Sequence, residues 1–248
     1  MSGSLIRLVS VGTLTVMFPL ASVSAVAGPA STDPKMPRAT NHGGHGIHYI
    51  YLVRHGECVH EEKDENDERV PNGLDSLGHA QTRLIGERLA ALPVTFDRVV
   101  SSELLRSKQT AADVGEILRI TPICDPLLDD CEPTSNDPSR MEDDTPRTLA
   151  SCDSTRVRAY RRYFVPTPAR DTYTLLVCHG HMIRWTLMKA LGADTRRWPD
   201  QDAANAALTI VAVRPDSSVR LVTYNDTSHI PIAKQTWSGS GGGWLKDE

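Results

Sequence analysis

The sequence predicts an α/β fold, in detail a three-layer α/β/α sandwich around a mostly parallel central sheet. Residues 50–53 and 173–178 are short, largely apolar runs of the kind that form strands buried on both faces of a sheet. Segments with apolar residues at helical spacing lie between the predicted strands, an alternation typical of parallel sheets. At 248 residues, with 40% hydrophobic and 23% charged residues, the chain is long enough for one large domain with its own core.

The first 27 residues have the pattern of a secretory signal peptide. Arg7 supplies a positive charge, residues 8–20 are mostly apolar, and small residues follow. The apolar run is shorter than the roughly 20 residues that a spanning helix needs, so we expect cleavage after Ala25 or Ala27 and no stable membrane span in the mature chain. An uncleaved membrane anchor and a mitochondrial presequence are the alternatives. The sequence therefore predicts export, to the periplasm or out of the cell.

Residues 28–46 are rich in proline and glycine and predict a flexible linker, followed by one domain at residues 47–237 and a glycine-rich flexible tail at residues 238–248. His42, His45 and His48 follow one another at three-residue intervals. Because no cysteine or carboxylate cluster accompanies them, a solvated linker is expected there rather than a metal site.

Within the domain, the remaining segments alternate between predicted helices and strands. Helices are predicted at residues 76–92, 103–118, 153–164 and 182–191, the second capped by Ser101 and Ser102 and the third with its arginines exposed. Further strands are predicted at residues 96–100, 121–124, 208–213 and 219–224. Residues 61–68 form an acidic insert that predicts a solvated loop, with screening of some anionic substrates as the functional alternative, and residues 133–151 predict a polar loop.

Both buried strands end at a histidine beside a glycine. The first leads into Arg54, His55 and Gly56, and the second leads into His179 and Gly180. Ligands in open α/β sheets bind at the carboxyl ends of the strands, so we expect the two histidines to contribute to one site. Glycine at these positions lets the backbone approach a ligand closely.

On these two motifs the sequence resembles the histidine phosphatase (phosphoglycerate mutase-like) superfamily, whose signature is Arg-His-Gly after the first strand and a second histidine after a later one. The resemblance extends from about residue 49 to about residue 223. In detail the chain is similar to the mitochondrial Ser/Thr phosphatase branch, through residues 74–78, Leu127, Leu128, Cys178, His179, Ile183, Arg184, Asn205, Arg214 and Pro215. The resemblance implies hydrolysis of phosphomonoesters through a phosphohistidine on His55, with His179 as the second catalytic histidine.

The resemblance also implies which residues bind phosphate. Arg106 falls in the first turn of a predicted helix, where free N–H groups and the helix dipole favour an anion. Together with Arg54, His179 and Gly180 it is expected to bind the phosphoryl group. Arginines offer paired donors to phosphate and neutralise its charge, so we expect neither a metal nor a cofactor.

The general acid is placed by the resemblance two residues after the Leu-Leu pair, usually as a glutamate. Asp130 occupies that position here, and Glu132 is the alternative if the loop bulges. An ordinary aspartate has a pKa of about 3.9, so burial and the bound phosphate must raise it for the carboxyl to act as an acid near neutral pH. If the chain is exported, Cys131 and Cys152 can pair and hold this loop in place.

Composition and motif content restrict the function classes. A formal net charge of −4 argues against general nucleic-acid binding, so the expected partner is a phosphorylated substrate, either a small molecule or a phosphoprotein. Two alternatives remain: a non-catalytic phospho-ligand-binding or scaffold module, because the acid position departs from the family, and a phosphoglycerate mutase-type phosphotransferase. The missing Trp-Glu-Gly signature and substrate-loop insertions disfavour the second. The sequence indicates no oligomeric state.

Overall fold

The strands of the computed structural model form one six-stranded sheet. They are β1 (His48–Arg54), β2 (Arg98–Ser101), β3 (Ile123–Cys124), β4 (Thr172–Cys178), β5 (Leu208–Val213) and β6 (Val219–Asp226). Their order across the sheet is β3-β2-β4-β1-β5-β6. The first four strands run parallel to one another, and β5 is antiparallel to both β1 and β6.

The structure describes residues 46–59, 72–167 and 169–237. The predicted signal peptide, the predicted linker with His42 and His45, the acidic insert and the glycine-rich tail lie outside the described residues, apart from Gly46 at the end of the linker. Among the described residues, no helix combines the length and the apolar character that crossing a bilayer requires.

Helices cover both faces of the sheet, as the sequence predicts. They are α1 (Ser76–Ala90), α2 (Leu105–Leu118), α3 (Pro146–Tyr163) and α4 (Gly180–Ala190). Short 3-10 helices lie at Pro126–Leu128, Pro138–Met141, Thr195–Asp200 and Ile232–Lys234. The three-layer α/β/α architecture with a mostly parallel sheet is therefore confirmed.

The alternation of side chains along the strands builds two cores. In β1, Ile50 and Leu52 face a core shared with α3 and α4, whereas Tyr51 and Val53 face a core shared with α1 and α2. Strand β4 alternates in the same way. Because both faces are covered, the central strands are apolar at nearly every position, which is the pattern that identified them in the sequence.

Three helices begin elsewhere than predicted, and α4 is one of them, because it begins at Gly180 and not at residue 182. Helix α3 begins at Pro146 and not at residue 153, because Thr145 and Thr148 form a reciprocal capping box and proline occupies the first turn. Helix α2 begins at Leu105, and Ser102 accepts a hydrogen bond from the N–H of Leu104 rather than capping the helix itself. The start of α3 thus lies inside the segment predicted to be a loop.

The histidine series before β1 has one member in the described part of the chain. His48 is buried, and its two ring nitrogens lie 3.0 Å from the Val165 carbonyl oxygen and 2.9 Å from the Thr174 hydroxyl. Burial lowers the pKa of this imidazole. His48 is therefore a hydrogen-bonded core residue of the sheet.

Candidate active site

The parallel pairing of β1 and β4 brings their two histidines together. Arg54 is the register partner of Cys178, so His55 and His179 follow at the same level of the sheet. The His55 amide donates to the Cys178 carbonyl over 2.9 Å, and the two imidazole centroids lie 5.1 Å apart. The structure thus places both histidines at the carboxyl edge of the central strands, where ligands bind in this class of fold.

His55 is buried and has a defined tautomer. Its Nδ1 lies 2.7 Å from the Gly56 carbonyl oxygen, which is only an acceptor, so Nδ1 carries the hydrogen. The lone pair of Nε2 accepts a hydrogen bond from Arg106 Nε over 3.1 Å. Burial, followed by the nearby charge of Arg54, lowers the pKa of His55 well below its usual range. The imidazole is therefore neutral at physiological pH, the form in which Nε2 is a nucleophile.

Two buried guanidinium groups accompany His55. Arg54 donates through Nη1 to the carbonyl of Ala203, and burial lowers its pKa to about 10, so it stays protonated at neutral pH. Arg106 lies in the first turn of α2, and its Nη2 contacts Asp130 Oδ2 at 3.2 Å. Two permanent positive charges beside a neutral imidazole suit a phosphate dianion.

Asp130 lies between the cationic groups of three elements. Its Oδ2 is 3.2 Å from Arg106 Nη2 and 3.9 Å from His179 Nδ1, while Oδ1 is 3.2 Å from His181 Nδ1 and 3.8 Å from Arg156 Nη2. Burial by itself raises the pKa of this carboxyl, but the neighbouring histidines and Arg156 outweigh it and hold the pKa well below the usual range. Asp130 is therefore a carboxylate in the phosphate-free protein.

Glu132 has a different environment. Burial raises the pKa of its carboxyl, and the buried Oε1 has no hydrogen-bond partner among the described residues. The hydrogen bonds that link His55 to Arg106 and Arg106 to Asp130 do not include Glu132. The structure thus brings Asp130 into contact with Arg106, one of the residues predicted to bind phosphate, and leaves Glu132 outside that chain of contacts.

His179 is completely buried at the start of α4. Its Nε2 lies 2.8 Å from Ser102 Oγ, and the Ser102 hydroxyl donates its one hydrogen to Asp129 Oδ1 over 2.8 Å. His179 Nε2 must therefore carry the hydrogen of the neutral ring, and Nδ1 has no hydrogen-bond partner among the described residues. Burial lowers the pKa of His179 to about 3. A buried polar atom without a partner is costly, and protonation of Nδ1 beside a bound phosphate dianion would turn it into a donor to a phosphate oxygen.

These buried neutral histidines predict an acid-sensitive fold. Unfolded histidine titrates near pH 6.5, whereas His179 stays neutral in the folded protein down to about pH 3. Below pH 6.5 the unfolded state binds the additional proton, so this contribution to stability is fully present above pH 6.5 and is lost as the pH falls toward 3.

Urea unfolding at pH 4 to 7.5 measures this loss. We expect the free energy of unfolding to be nearly constant above pH 6.5 and to fall below it by about 1.4 kcal/mol per pH unit for each such histidine. In the variant His179→Gln the free energy of unfolding should depend less steeply on pH, because about one proton fewer is taken up on unfolding. An unchanged slope in that variant would contradict the assignment of a neutral buried His179.

Gly180 is the first residue of α4, directly after His179. A Cβ atom at this position would lie 3.5 Å from Arg54 Cζ, so the backbone at the start of the helix packs beside that guanidinium. The first N–H groups of a helix have no partner within the helix and favour anions. The predicted phosphate-binding residues Arg54, Arg106, His179 and Gly180 therefore converge around His55.

The sequence analysis missed Arg156. It lies on α3 together with Cys152, Ala159 and Tyr163, all buried and at helical spacing. Its Nη1 donates to the carbonyl of Asp129 and its Nη2 to that of Cys131, at 2.9 and 2.8 Å. Arg156 thus fixes the backbone on both sides of Asp130. The signal was available as an arginine inside the apolar stripe of a helix, but α3 was predicted to begin too late and its arginines to be exposed.

A disulfide also connects this loop to α3. Cys131, next to Asp130, pairs with Cys152, as the sequence allowed. Cys58, Cys124 and Cys178 are free thiols in the described part of the chain, and Cys178 is buried. Together with Arg156, the disulfide tethers the segment that carries Asp130 to a helix of the core.

Comparison with known proteins identifies the family. The profile of the histidine phosphatase superfamily (branch 1) matches residues 50–135 and 132–227. The mitochondrial serine/threonine-protein phosphatase PGAM5 of Xenopus laevis is 29% identical over 203 residues, which are 80% of this chain and 70% of that protein. The human protein of the same name is 29% identical over 195 residues, 77% of this chain and 66% of its own length. The resemblance to the mitochondrial Ser/Thr phosphatase branch is confirmed.

Solved structures show the same fold. A phosphoserine phosphatase from Entamoeba histolytica, in complex with 3-phosphoglyceric acid, matches with a TM-score of 0.56 at 16% identity, covering 74% of this chain and all of that one. A phosphoglycerate mutase from Plasmodium falciparum matches with a TM-score of 0.52 at 22% identity, and the match covers 75% of this chain and 96% of that one. At these levels of sequence identity, the two matches show that the fold is shared and nothing more.

The relatives correct the predicted localisation. The curated relatives from frog, human and nematode are all named as mitochondrial proteins, so the prediction of a periplasmic or secreted protein is wrong. A short apolar stretch after one arginine indicates a targeting segment without specifying which membrane the chain crosses, and the export prediction depended on that stretch alone. With its fold, its paired histidines and its matching relatives, the chain belongs to branch 1 of the histidine phosphatase superfamily and is a phosphomonoesterase.

Proposed function

We propose that the enzyme hydrolyses phosphomonoesters through a covalent phosphohistidine on His55, without a metal ion. The observation that carries this proposal is the state of His55, which is neutral, has Nδ1 engaged by the Gly56 carbonyl, and has the Nε2 lone pair directed toward a guanidinium. A nucleophile needs a fixed orientation and an available lone pair. The orientation is present before substrate binds, and the lone pair becomes available when Arg106 turns to the bound phosphate.

The first step is phosphoryl transfer to His55. Phosphate oxygens are stronger acceptors than a neutral imidazole, so Arg106 is expected to turn its donors from His55 Nε2 to the bound phosphate. The freed Nε2 attacks phosphorus, the N–P bond forms, and the bond to the leaving oxygen breaks. Arg54, Arg106, His179 and the N–H groups at Gly180 stabilise the charge on the equatorial oxygens, and each such donor is typically worth about 10²–10³ in rate.

Asp130 is the proposed acid and base. The carboxylate is ionised in the phosphate-free site because cations surround it, but a bound dianion offsets those cations and raises the pKa of the carboxyl. Asp130 then protonates the leaving oxygen. In the second step the same carboxylate takes a proton from water as the water oxygen attacks phosphorus, the N–P bond breaks, and phosphate leaves.

We also propose phosphoserine and phosphothreonine as substrates. The curated relatives are named serine/threonine-protein phosphatases. An alkyl phosphate of this kind has a poor leaving group and needs a proton donor beside the nucleophile, and Asp130 supplies a carboxyl there. Fixed arginine charges perform the neutralisation for which other phosphatases use metal ions.

Hydrolysis of p-nitrophenyl phosphate by the full chain tests the metal independence. We expect turnover that EDTA leaves unchanged, because Arg54 and Arg106 are permanent parts of the protein. We also expect rapid quenching in alkaline detergent to trap a phosphoenzyme whose bond is stable in base and labile in acid, as phosphoramidates are. Loss of turnover in EDTA with recovery on adding a divalent cation would contradict the proposal.

A further inference from the structure

His181 contacts Asp130 on the side away from Arg106. Its Nδ1 lies 3.2 Å from Asp130 Oδ1, whereas Arg106 binds Oδ2. Asp130 is ionised and accepts only, so Nδ1 must carry a hydrogen. The imidazole edge packs at 82° against the buried ring of Trp198, with 4.9 Å between centroids. A quarter of the His181 side chain remains exposed.

Other contacts of Asp130 cannot supply it with a proton. Arginines do not give up their protons in proteins, which excludes Arg106 and Arg156 as donors. His179 is neutral, and its single hydrogen is engaged by Ser102. Among the described residues that contact the Asp130 carboxylate, His181 alone combines a titratable proton with access to solvent.

We propose that His181 is a positioning residue that stores the catalytic proton and passes it to Asp130 along the Nδ1–Oδ1 hydrogen bond. This inference depends on the proposed phosphohistidine mechanism and adds to it the source of the proton. Imidazole is suited to the task because it can gain a proton at one ring nitrogen and release it in the direction of a hydrogen bond. The buried Trp198 ring, whose Nε1 donates to the Pro133 carbonyl over 3.2 Å, holds the imidazole against the carboxylate.

The proton balance closes over one turnover. In the first step the His181 imidazolium passes its proton to the Asp130 carboxylate, which delivers it to the leaving oxygen as His55 Nε2 bonds to phosphorus and the bond to the leaving oxygen breaks. Asp130 is then a carboxylate again, and His181 is neutral. In the second step water gives a proton to the Asp130 carboxylate as its oxygen bonds to phosphorus and the N–P bond breaks. That proton returns to His181, so both side chains end as they began.

Charged groups on several elements set the proton affinity of this pair. The carboxylates favour the imidazolium, and the guanidinium groups oppose it. Helix α4 contributes Arg184, whose Cζ lies 4.6 Å from the centroid of the Trp198 ring. Further charged groups around His181, Asp130 and Glu132 are Arg54 on β1, Arg106 on α2, Arg156 on α3, Arg140 on the 3-10 helix Pro138–Met141, and Asp144 just before α3.

The variant His181→Asn tests the inference because its amide can keep the hydrogen bond to Asp130 but cannot store a proton. The measurement is kcat/KM for aryl and alkyl phosphates with leaving groups of increasing pKa, since kcat/KM reports on transfer to the enzyme. We expect a loss that grows with leaving-group pKa, from a few-fold for p-nitrophenyl phosphate to about 10- to 100-fold for an alkyl phosphate. The pH dependence of kcat/KM should also lose one ionisation.

A matched control is His79→Asn. His79 forms a similar pair with Asp113 Oδ2, at 2.8 Å, on an exposed helix surface. The variant His79→Asn should therefore keep the wild-type dependence of kcat/KM on leaving-group pKa. If His181→Asn loses the same factor on every substrate, or nothing, His181 has only a structural role and the inference fails. A wild-type enzyme that forms no acid-labile phosphoenzyme would instead overturn the proposed mechanism, so the two failures are distinguishable.

Discussion

The variant His55→Ala is expected to lose all measurable turnover. His55 Nε2 forms the bond to phosphorus, and this ring nitrogen lies directly beside the Arg106 guanidinium at the end of β1. Removing a nucleophile from a mechanism with a covalent intermediate costs on the order of 10⁴–10⁶ in kcat. The loss should be the same for aryl and alkyl phosphates, because every substrate must pass through the phosphohistidine.

Alkaline quenching of the variant with labelled substrate provides the second measurement. Wild-type enzyme should retain label in an acid-labile form, and His55→Ala should retain none. The control is His79→Ala, which removes an exposed imidazole from α1 and should leave both turnover and labelling intact. Substantial turnover by a folded His55→Ala protein would show that water attacks the substrate directly, and the covalent mechanism would then be wrong.

Strand endings made the centre of this site predictable. Residues 50–53 and 173–178 are apolar because helices cover both faces, and the parallel register of β1 and β4 then requires His55 and His179 to be neighbours. Arg106 was predictable for a similar reason, since it lies in the first turn of the helix after the next strand. Each of these positions could be predicted from local sequence patterns, together with the rule that ligands bind at the carboxyl ends of the strands in open α/β sheets.

The surroundings of Asp130 were not predictable in the same way. Arg156 and His181 reach it from α3 and α4, and such contacts depend on how helices pack over the sheet rather than on spacing along the chain. A local error compounded this, because the polar residues before Asp153 predicted a loop although Thr145 caps a helix there. The predicted helix therefore began after Cys152, and its arginines, Arg156 among them, were predicted to be exposed, whereas both residues lie on the buried side of α3.

Asparagine at Asp130 and glutamine at Glu132 should separate the two candidate acids. Asp130→Asn keeps the shape of the side chain but cannot donate and recover a proton, so we expect kcat/KM for an alkyl phosphate to fall about 10²- to 10³-fold. The loss for p-nitrophenyl phosphate should be smaller, because nitrophenolate leaves without full protonation. Glu132→Gln should remain within about threefold of wild type on both substrates.

The two variants also differ in what they do to the charges of the site. Asp130→Asn removes the anion between Arg106 and Arg156, but Arg156 keeps its two backbone acceptors, so the loop should stay folded and thermal unfolding can verify this. The opposite result would be a kcat/KM that falls strongly with leaving-group pKa in Glu132→Gln and stays near the wild-type value in Asp130→Asn. It would show that Glu132 is the general acid, and the raised pKa of its carboxyl suits a proton donor. Asp130 is favoured because it contacts Arg106, which contacts the nucleophile, and proton transfer requires that proximity more than it requires a favourable pKa before substrate binds.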